Sequence, residues 1–130
     1  LLDFTRQTGE YMGTPLYSAP EQFKDKTPLD HRADIYGLGA TLFHCIAGEP
    51  PFTDPSALNV AKMHISQPVP SLADIMEVSE STTLEILDDL LGKMLSKDPD
   101  ERFGDLSDFI DHVDAIEPVL RRQLDKTGGS

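Results

Sequence analysis

The apolar side chains of this sequence recur at three- and four-residue spacing in several stretches, and this spacing predicts helices. The strongest stretch spans residues 31–47, where apolar positions lie on nearly every side of a helical wheel. Such a helix belongs at the centre of a domain, because almost no side of it suits water. Asp30 is placed to cap its start, and Gly48 followed by two prolines marks its end.

Three other stretches predict helices around this centre. Residues 55–65 place apolar side chains on one face, and the proline-punctuated connection at 67–72 is polar enough to predict exposure. Residues 83–95 are typical of an amphipathic helix, with core positions Leu84, Leu87, Leu90, Leu91, Met94 and Leu95. After a charged turn at 97–103, a last helix has one apolar face, made of Leu106, Phe109, Ile110, Val113 and Ile116.

The two ends of the chain are polar. Residues 1–12 lack periodicity, which predicts an exposed, mobile loop, and residues 118–130 are typical of a fraying helix and tail. Between them, residues 13–22 set two prolines among small residues, as in an ordered loop leading into a short helix. No stretch alternates as a strand does, so the fold class is mainly α. Because the sequence begins at Leu1 in a polar segment without a methionine, we interpret it as part of a longer protein.

Composition excludes several classes of function. A formal charge of −12 disfavours binding to nucleic acid and to anionic lipid. It would suit binding to a basic peptide, or it only keeps the protein soluble. Cys45 is the only cysteine and lies in an apolar run, which predicts a small core residue and a reducing compartment. The four histidines are scattered without the spacing of metal ligands, so no metal site is expected. No apolar stretch approaches the roughly twenty residues that span a bilayer.

Two charged residues stand out against their apolar surroundings. Asp34 lies in the apolar central helix, where a buried carboxylate is costly unless it accepts hydrogen bonds. It either accepts bonds from the backbone of another segment or is a solvated charge at the start of the helix. Arg102 stands beside Phe103 at the edge of the core, where it is placed to bind a carboxylate bidentately.

Several motifs, in this order and spacing, resemble the C-terminal lobe of the protein kinase family from about residue 13 to 116. Residues 19–21 read Ala-Pro-Glu, the motif that closes the activation segment of that family. The stretch before them resembles its substrate-docking loop: Gly13, Thr14, Pro15, Leu16 and Tyr17. Residues 34–52 resemble its large central helix, and residues 90–102 resemble its penultimate helix and arginine. The resemblance implies the helical lobe of a two-lobed α+β domain, partial over residues 1–117, with a tail at 118–130.

The resemblance also implies roles for individual residues. Glu21 should pair with Arg102 in a buried, charge-assisted contact that ties the activation segment to the helical core. Asp34 would accept hydrogen bonds from the backbone of the catalytic loop, which this chain does not contain. Thr14 would contact the catalytic aspartate and help to place the substrate hydroxyl, unless it is only a structural threonine.

The form of residues 13–17 is similar to serine/threonine kinases rather than tyrosine kinases, and residues 34–42 are similar to bacterial kinases of the eukaryotic-like, Hanks-type group. The usual activating phosphothreonine falls near Glu10, so a fixed negative charge there would replace a switchable one. Thr5 and Thr8 remain candidate phosphosites, since a phosphate would order the loop by pairing with arginines. An unmodified flexible loop is an equally open interpretation.

The chain lacks the glycine-rich loop, the strand lysine, the catalytic-loop Asp and Asn, and the Asp-Phe-Gly metal ligand of the family. Residues 3–5 begin Asp-Phe but lack the glycine, so we interpret them as loop. ATP and Mg are therefore expected in the parent kinase and not on this chain, which holds no catalytic, cofactor-binding or metal-binding residue and should be inactive alone. The implied parent activity is transfer of the γ-phosphoryl group to protein serine or threonine.

The alternative function is that of a pseudokinase, a binding or scaffolding module whose other half has lost its catalytic residues. The expected partners are a protein substrate and the missing N-terminal lobe and catalytic loop. Self-association is also expected, through exposed core or through an exchanged activation segment in which Glu21 reaches Arg102 of a second chain. The predicted location is the cytoplasm, either free or as the cytoplasmic domain of a membrane-anchored kinase.

Overall fold

The computed structural model describes residues 15–23, 30–79 and 81–128. These residues form five α-helices: α1 His31–Ala47, α2 Ala57–Ser66, α3 Leu72–Met76, α4 Thr82–Met94 and α5 Leu106–Gly128. Two short 3-10 helices, Pro20–Phe23 and Pro99–Glu101, precede α1 and α5. No strand occurs in the described ranges, which agrees with the mainly α class predicted from the sequence.

Helix α1 is the centre of the fold, as the pattern predicts. The Asp30 side chain accepts from the backbone N–H of Arg32 at 2.8 Å, and Gly48 ends the helix in the left-handed conformation at φ 87°. Its buried residues are Ala33, Ile35, Tyr36, Gly39, Ala40 and Phe43. Helix α4 packs closely at Gly39, where an added Cβ would lie 2.8 Å from the Cβ of Met94. The glycine therefore sets how near the two helices approach.

One side of α1 is open, which corrects the prediction for Cys45. Cys45 is exposed rather than buried in the core, Leu38 is 38% exposed, and Asp34 is exposed as well. These three residues recur at helical spacing and so share a side of the helix. The sequence pattern predicted a helix that other elements cover on every side. The described part of the chain covers only part of α1.

The connection at 67–72 was predicted to be exposed, and this is wrong at its end. Leu72 is fully buried and begins the short helix α3, which the sequence pattern did not predict. The Ser71 hydroxyl caps α3, and its first turn is also held from α4, since the Leu72 N–H donates to Asp88 Oδ1 at 2.9 Å. A helix of five residues has too few apolar positions to produce a periodic pattern.

Helices α4 and α5 follow the predicted order, with one correction on α5. Phe109 and Ile116 pack against the core, but Leu106 and Ile110 are 53% and 54% exposed and do not share that buried face. Helix α5 also continues through Pro118 to Gly128 without a break at residue 117. This agrees with the helix predicted at the start of 118–130, and the division between a kinase domain at 1–117 and a tail at 118–130 stays a prediction.

Candidate functional site

The predicted pairing of Glu21 with Arg102 is confirmed. Arg102 Nη1 donates to Glu21 Oε2 at 2.7 Å, and Arg102 Nη2 donates to Glu21 Oε1 at 2.8 Å. The Arg102 side chain is fully buried and that of Glu21 is 6% exposed. Two parallel charge-assisted bonds out of water fix both position and orientation, so the end of the 15–23 segment is attached firmly to the turn before α5.

The remaining donors of Arg102 are used by the backbone around it. Its Nε donates to the Ser96 carbonyl at 2.8 Å and its Nη1 also donates to the Arg32 carbonyl at 2.9 Å. The guanidinium lies 4.9 Å from the centre of the Tyr36 ring, within the range of a cation–π interaction. Arg102 therefore joins the start of α1, the end of α4 and the 15–23 segment at one point.

A second attachment of the same segment is made by His64 of α2. His64 Nε2 lies 3.1 Å from the Leu16 carbonyl oxygen, and His64 Nδ1 lies 2.6 Å from the Tyr36 hydroxyl. A carbonyl can only accept, so Nε2 carries a proton, and in the neutral ring Nδ1 then accepts from the Tyr36 hydroxyl. This bonding requires a neutral imidazole. Burial lowers the pKa of His64 to about 4, with a smaller contribution from the nearby Lys97 ammonium, and this keeps the ring neutral near pH 7.

The surroundings of His64 are aromatic. The Phe52 ring meets the imidazole edge to face at 5.0 Å between centres, and the Lys97 ammonium lies 4.6 Å from the centre of the Phe52 ring. Lys97 Nζ also donates to the Met63 carbonyl at 3.3 Å near the end of α2. Desolvation, and secondarily the charge of Arg102, lowers the pKa of Lys97 to about 8. The two attachments of the segment thus share one partly desolvated environment.

Tyr17 forms the outer side of the segment. Its hydroxyl lies 2.7 Å from His44 Nδ1, and the two rings stack with centres 6.0 Å apart. Tyr17 is 38% exposed. His64 of α2 and His44 of α1 thus both hold the segment, while part of Tyr17 stays exposed to solvent.

The structure brings some of the predicted site residues together. Pro15, Leu16 and Tyr17 lie on one continuous loop before the buried Glu21, whereas Asp34 stands exposed on the open side of α1. Gly13, Thr14, Thr5 and Thr8 lie outside the described residues. His64 and Tyr36 were missed as site residues. Their contacts reach 28 and 48 positions along the chain, and the only available signal was a histidine within an apolar helix face.

In the described ranges, no group of three or more His, Cys, Asp or Glu side chains is placed to hold a metal ion. The sequence also has none of the phosphate-binding or metal-binding motifs set out above. None of the helices described is both long enough and apolar enough to cross a membrane.

A protein-family model and several known proteins match most of this chain. The model of the protein kinase domain matches residues 3–113. Serine/threonine-protein kinase PknB of Mycolicibacterium smegmatis is 38% identical over 98 residues, which is 75% of this chain and 15% of that protein. PknF of Mycobacterium tuberculosis is 39% identical over 102 residues, covering 78% and 20%, and PknB of the same species is 37% identical over 98 residues, covering 75% and 15%. The chain thus spans a fifth or less of the length of these relatives.

Proposed function

The chain belongs to the protein kinase family, and we propose that it forms the C-terminal part of a bacterial serine/threonine kinase domain. The proposed reaction of the whole protein is transfer of the γ-phosphoryl group of ATP to a serine or threonine of a protein substrate. The observation that supports this most strongly is the buried Glu21–Arg102 pair. It attaches the end of the 15–23 segment to the helical core, as a rigid docking surface requires.

The 13–17 stretch is the proposed docking loop for the substrate chain. Its described part is held by His64 and α1, while Tyr17 stays accessible to a bound peptide. Thr14, directly before this part, is proposed to place the substrate hydroxyl near the catalytic aspartate. Positioning and electrostatics supply most of the catalysis of phosphoryl transfer, so a fixed loop contributes to rate as well as to binding.

The other functional groups are proposed to come from the remainder of the protein. ATP and Mg would bind there, and the backbone of the catalytic loop would donate to Asp34 on the open side of α1. That side is suited to such a neighbour, since Asp34 and Leu38 are both uncovered. The same uncovered side would favour self-association of the chain alone. We place the protein in the cytoplasm, free or as part of a membrane-anchored kinase, with Thr5 and Thr8 as candidate regulatory phosphosites.

The test is phosphoryl transfer by the complete gene product that carries this chain. With Mg·ATP and a general protein substrate, the complete protein should label serine and threonine, and the 130-residue chain alone should label nothing. A complete protein that binds peptide at this segment but transfers no phosphate would instead indicate a pseudokinase acting as a binding module. Labelling by the chain alone would contradict the assignment of the nucleotide site to the rest of the protein.

A further inference from the structure

The 15–23 segment is attached to the core at two points that meet on one side chain. The first point is the Glu21–Arg102 pair, and the second is the bond between His64 and the Leu16 carbonyl. Tyr36 contacts both, because its ring lies under the Arg102 guanidinium while its hydroxyl is bonded to His64. Tyr36 and His64 are both fully buried.

The direction of the hydrogen bonds is fixed by chemistry. The Leu16 carbonyl accepts from Nε2–H, so in the neutral ring Nδ1 is an acceptor, and the Tyr36 hydroxyl is the donor that satisfies it. The bond between Tyr36 and His64 is buried, so loss of the hydroxyl leaves a buried polar atom unpaired. The histidine therefore holds the Leu16 carbonyl in one place and one orientation.

We propose that His64 is a positioning residue of the docking loop, oriented by Tyr36, and that it helps to set the affinity for the substrate peptide. This rests on the proposed function of the 13–17 stretch. A carbonyl fixed at Leu16 determines the path of the adjoining backbone and so the placement of the exposed ring of Tyr17. Release of that carbonyl changes the surface that a peptide meets without touching the phosphates or the reacting atoms.

The first test uses the chain itself and does not depend on any activity. His64→Leu removes both bonds and keeps an apolar side chain, whereas His64→Gln keeps one donor and one acceptor in place. Amide hydrogen exchange at Ser18, whose N–H donates to the Pro15 carbonyl, should be on the order of tenfold faster in His64→Leu, which corresponds to the loss of about one hydrogen bond. It should return to near the original rate in His64→Gln.

A matched amide separates this local effect from general destabilisation. Leu95 donates to the Leu91 carbonyl at 2.8 Å on α4, and its exchange should not change when Ser18 accelerates. Tyr36→Phe retains the ring over Arg102 and removes only the hydroxyl, so it should accelerate Ser18 as well. Equal acceleration at Ser18 and Leu95, or none at Ser18 in any variant, would overturn the proposal.

The second test measures peptide kinetics in the complete protein. His64→Leu should raise KM for a substrate peptide several-fold with KM for ATP nearly unchanged, and His64→Gln should restore it. A loss of active enzyme through misfolding would instead lower kcat without this selective rise in KM. If the complete protein transfers no phosphate, the proposed function fails, and the exchange experiment still decides whether His64 holds the segment.

Discussion

Glu21 and Arg102 are separated by 81 positions in the sequence and meet as a buried bidentate pair with hydrogen bonds of 2.7 and 2.8 Å. Their contact links the end of the proposed activation segment to the turn that follows the penultimate helix of the lobe. Both side chains are withdrawn from water. Removal of either charge would leave the other buried without its oppositely charged partner.

Glu21→Gln tests how strongly this contact supports the fold. The variant strands the Arg102 charge in the core, which is expected to lower the free energy of unfolding by about 3–5 kcal/mol. Urea unfolding measures the difference. Glu117→Gln is the matched control, because Glu117 accepts from Arg121 in an exposed pair on α5, and its loss should cost less than about 1 kcal/mol. Equal effects of the two variants would contradict the importance of burial.

The buried His64 predicts a specific dependence of stability on pH. The folded state keeps the ring neutral down to about pH 4, whereas the unfolded chain takes up a proton near 6.5. The unfolded state therefore binds more protons below pH 6.5, and stability is lost as the pH falls from 6.5 towards 4, by up to about 3 kcal/mol. Because carboxylates titrate in the same range, the relevant quantity is the difference between the original chain and His64→Gln. Parallel curves for the two proteins would contradict a neutral buried imidazole.

Much of the helical framework could be predicted because its signals are local. The cap at Asp30, the stop at Gly48 and the leucine spacing of α4 each lie within a few residues of what they specify. The Glu21–Arg102 pair is a long-range contact, and it could be predicted only because both residues fall in motifs that resemble a known family. Neither the resemblance nor the periodicity indicated the contact between His64 and Tyr36.

The wrong predictions of burial have a common physical cause. Periodicity shows which side of a helix is apolar, but it does not show which apolar side is covered. Cys45 on α1 and Ile110 on α5 lie in apolar patterns and are nevertheless exposed, because no described element packs over them. Leu72 is the opposite case, a buried residue in a polar, proline-rich stretch that α4 holds through Asp88.

Gly39→Ala should be destabilising although alanine is the better helix former. The new Cβ would lie 2.8 Å from Met94 Cβ and 3.2 Å from Leu95 Cγ, and such overpacking costs about 1–3 kcal/mol. Gly92→Ala is the matched control, since Gly92 is exposed on α4 with nothing within 4 Å of an added Cβ. It should gain about 0.5–1 kcal/mol from helix propensity. Thermal unfolding of both variants checks the opposite signs, and a stabilised Gly39→Ala would contradict the close packing of α1 and α4.

Asp88→Ala should loosen α3. The variant removes the acceptor of the Leu72 N–H at 2.9 Å and of the Ser71 hydroxyl at 3.2 Å, which should cost about 1–2 kcal/mol. The neighbouring Asp89 is exposed, and Asp89→Ala should change stability by less than about 0.5 kcal/mol. Urea unfolding together with amide exchange at Leu72 compares the two. Unchanged exchange at Leu72 in Asp88→Ala would show that α3 is held in another way.

We propose that this chain supplies the docking part of a serine/threonine kinase. The most direct test of this proposal is the rate of phosphoryl transfer by the complete protein to three peptides that differ only in the acceptor, which is serine, threonine or tyrosine. The serine or threonine peptide should be phosphorylated, and the tyrosine peptide should give no detectable product. Efficient phosphorylation of the tyrosine peptide, or no transfer to any of the three, would contradict the proposal.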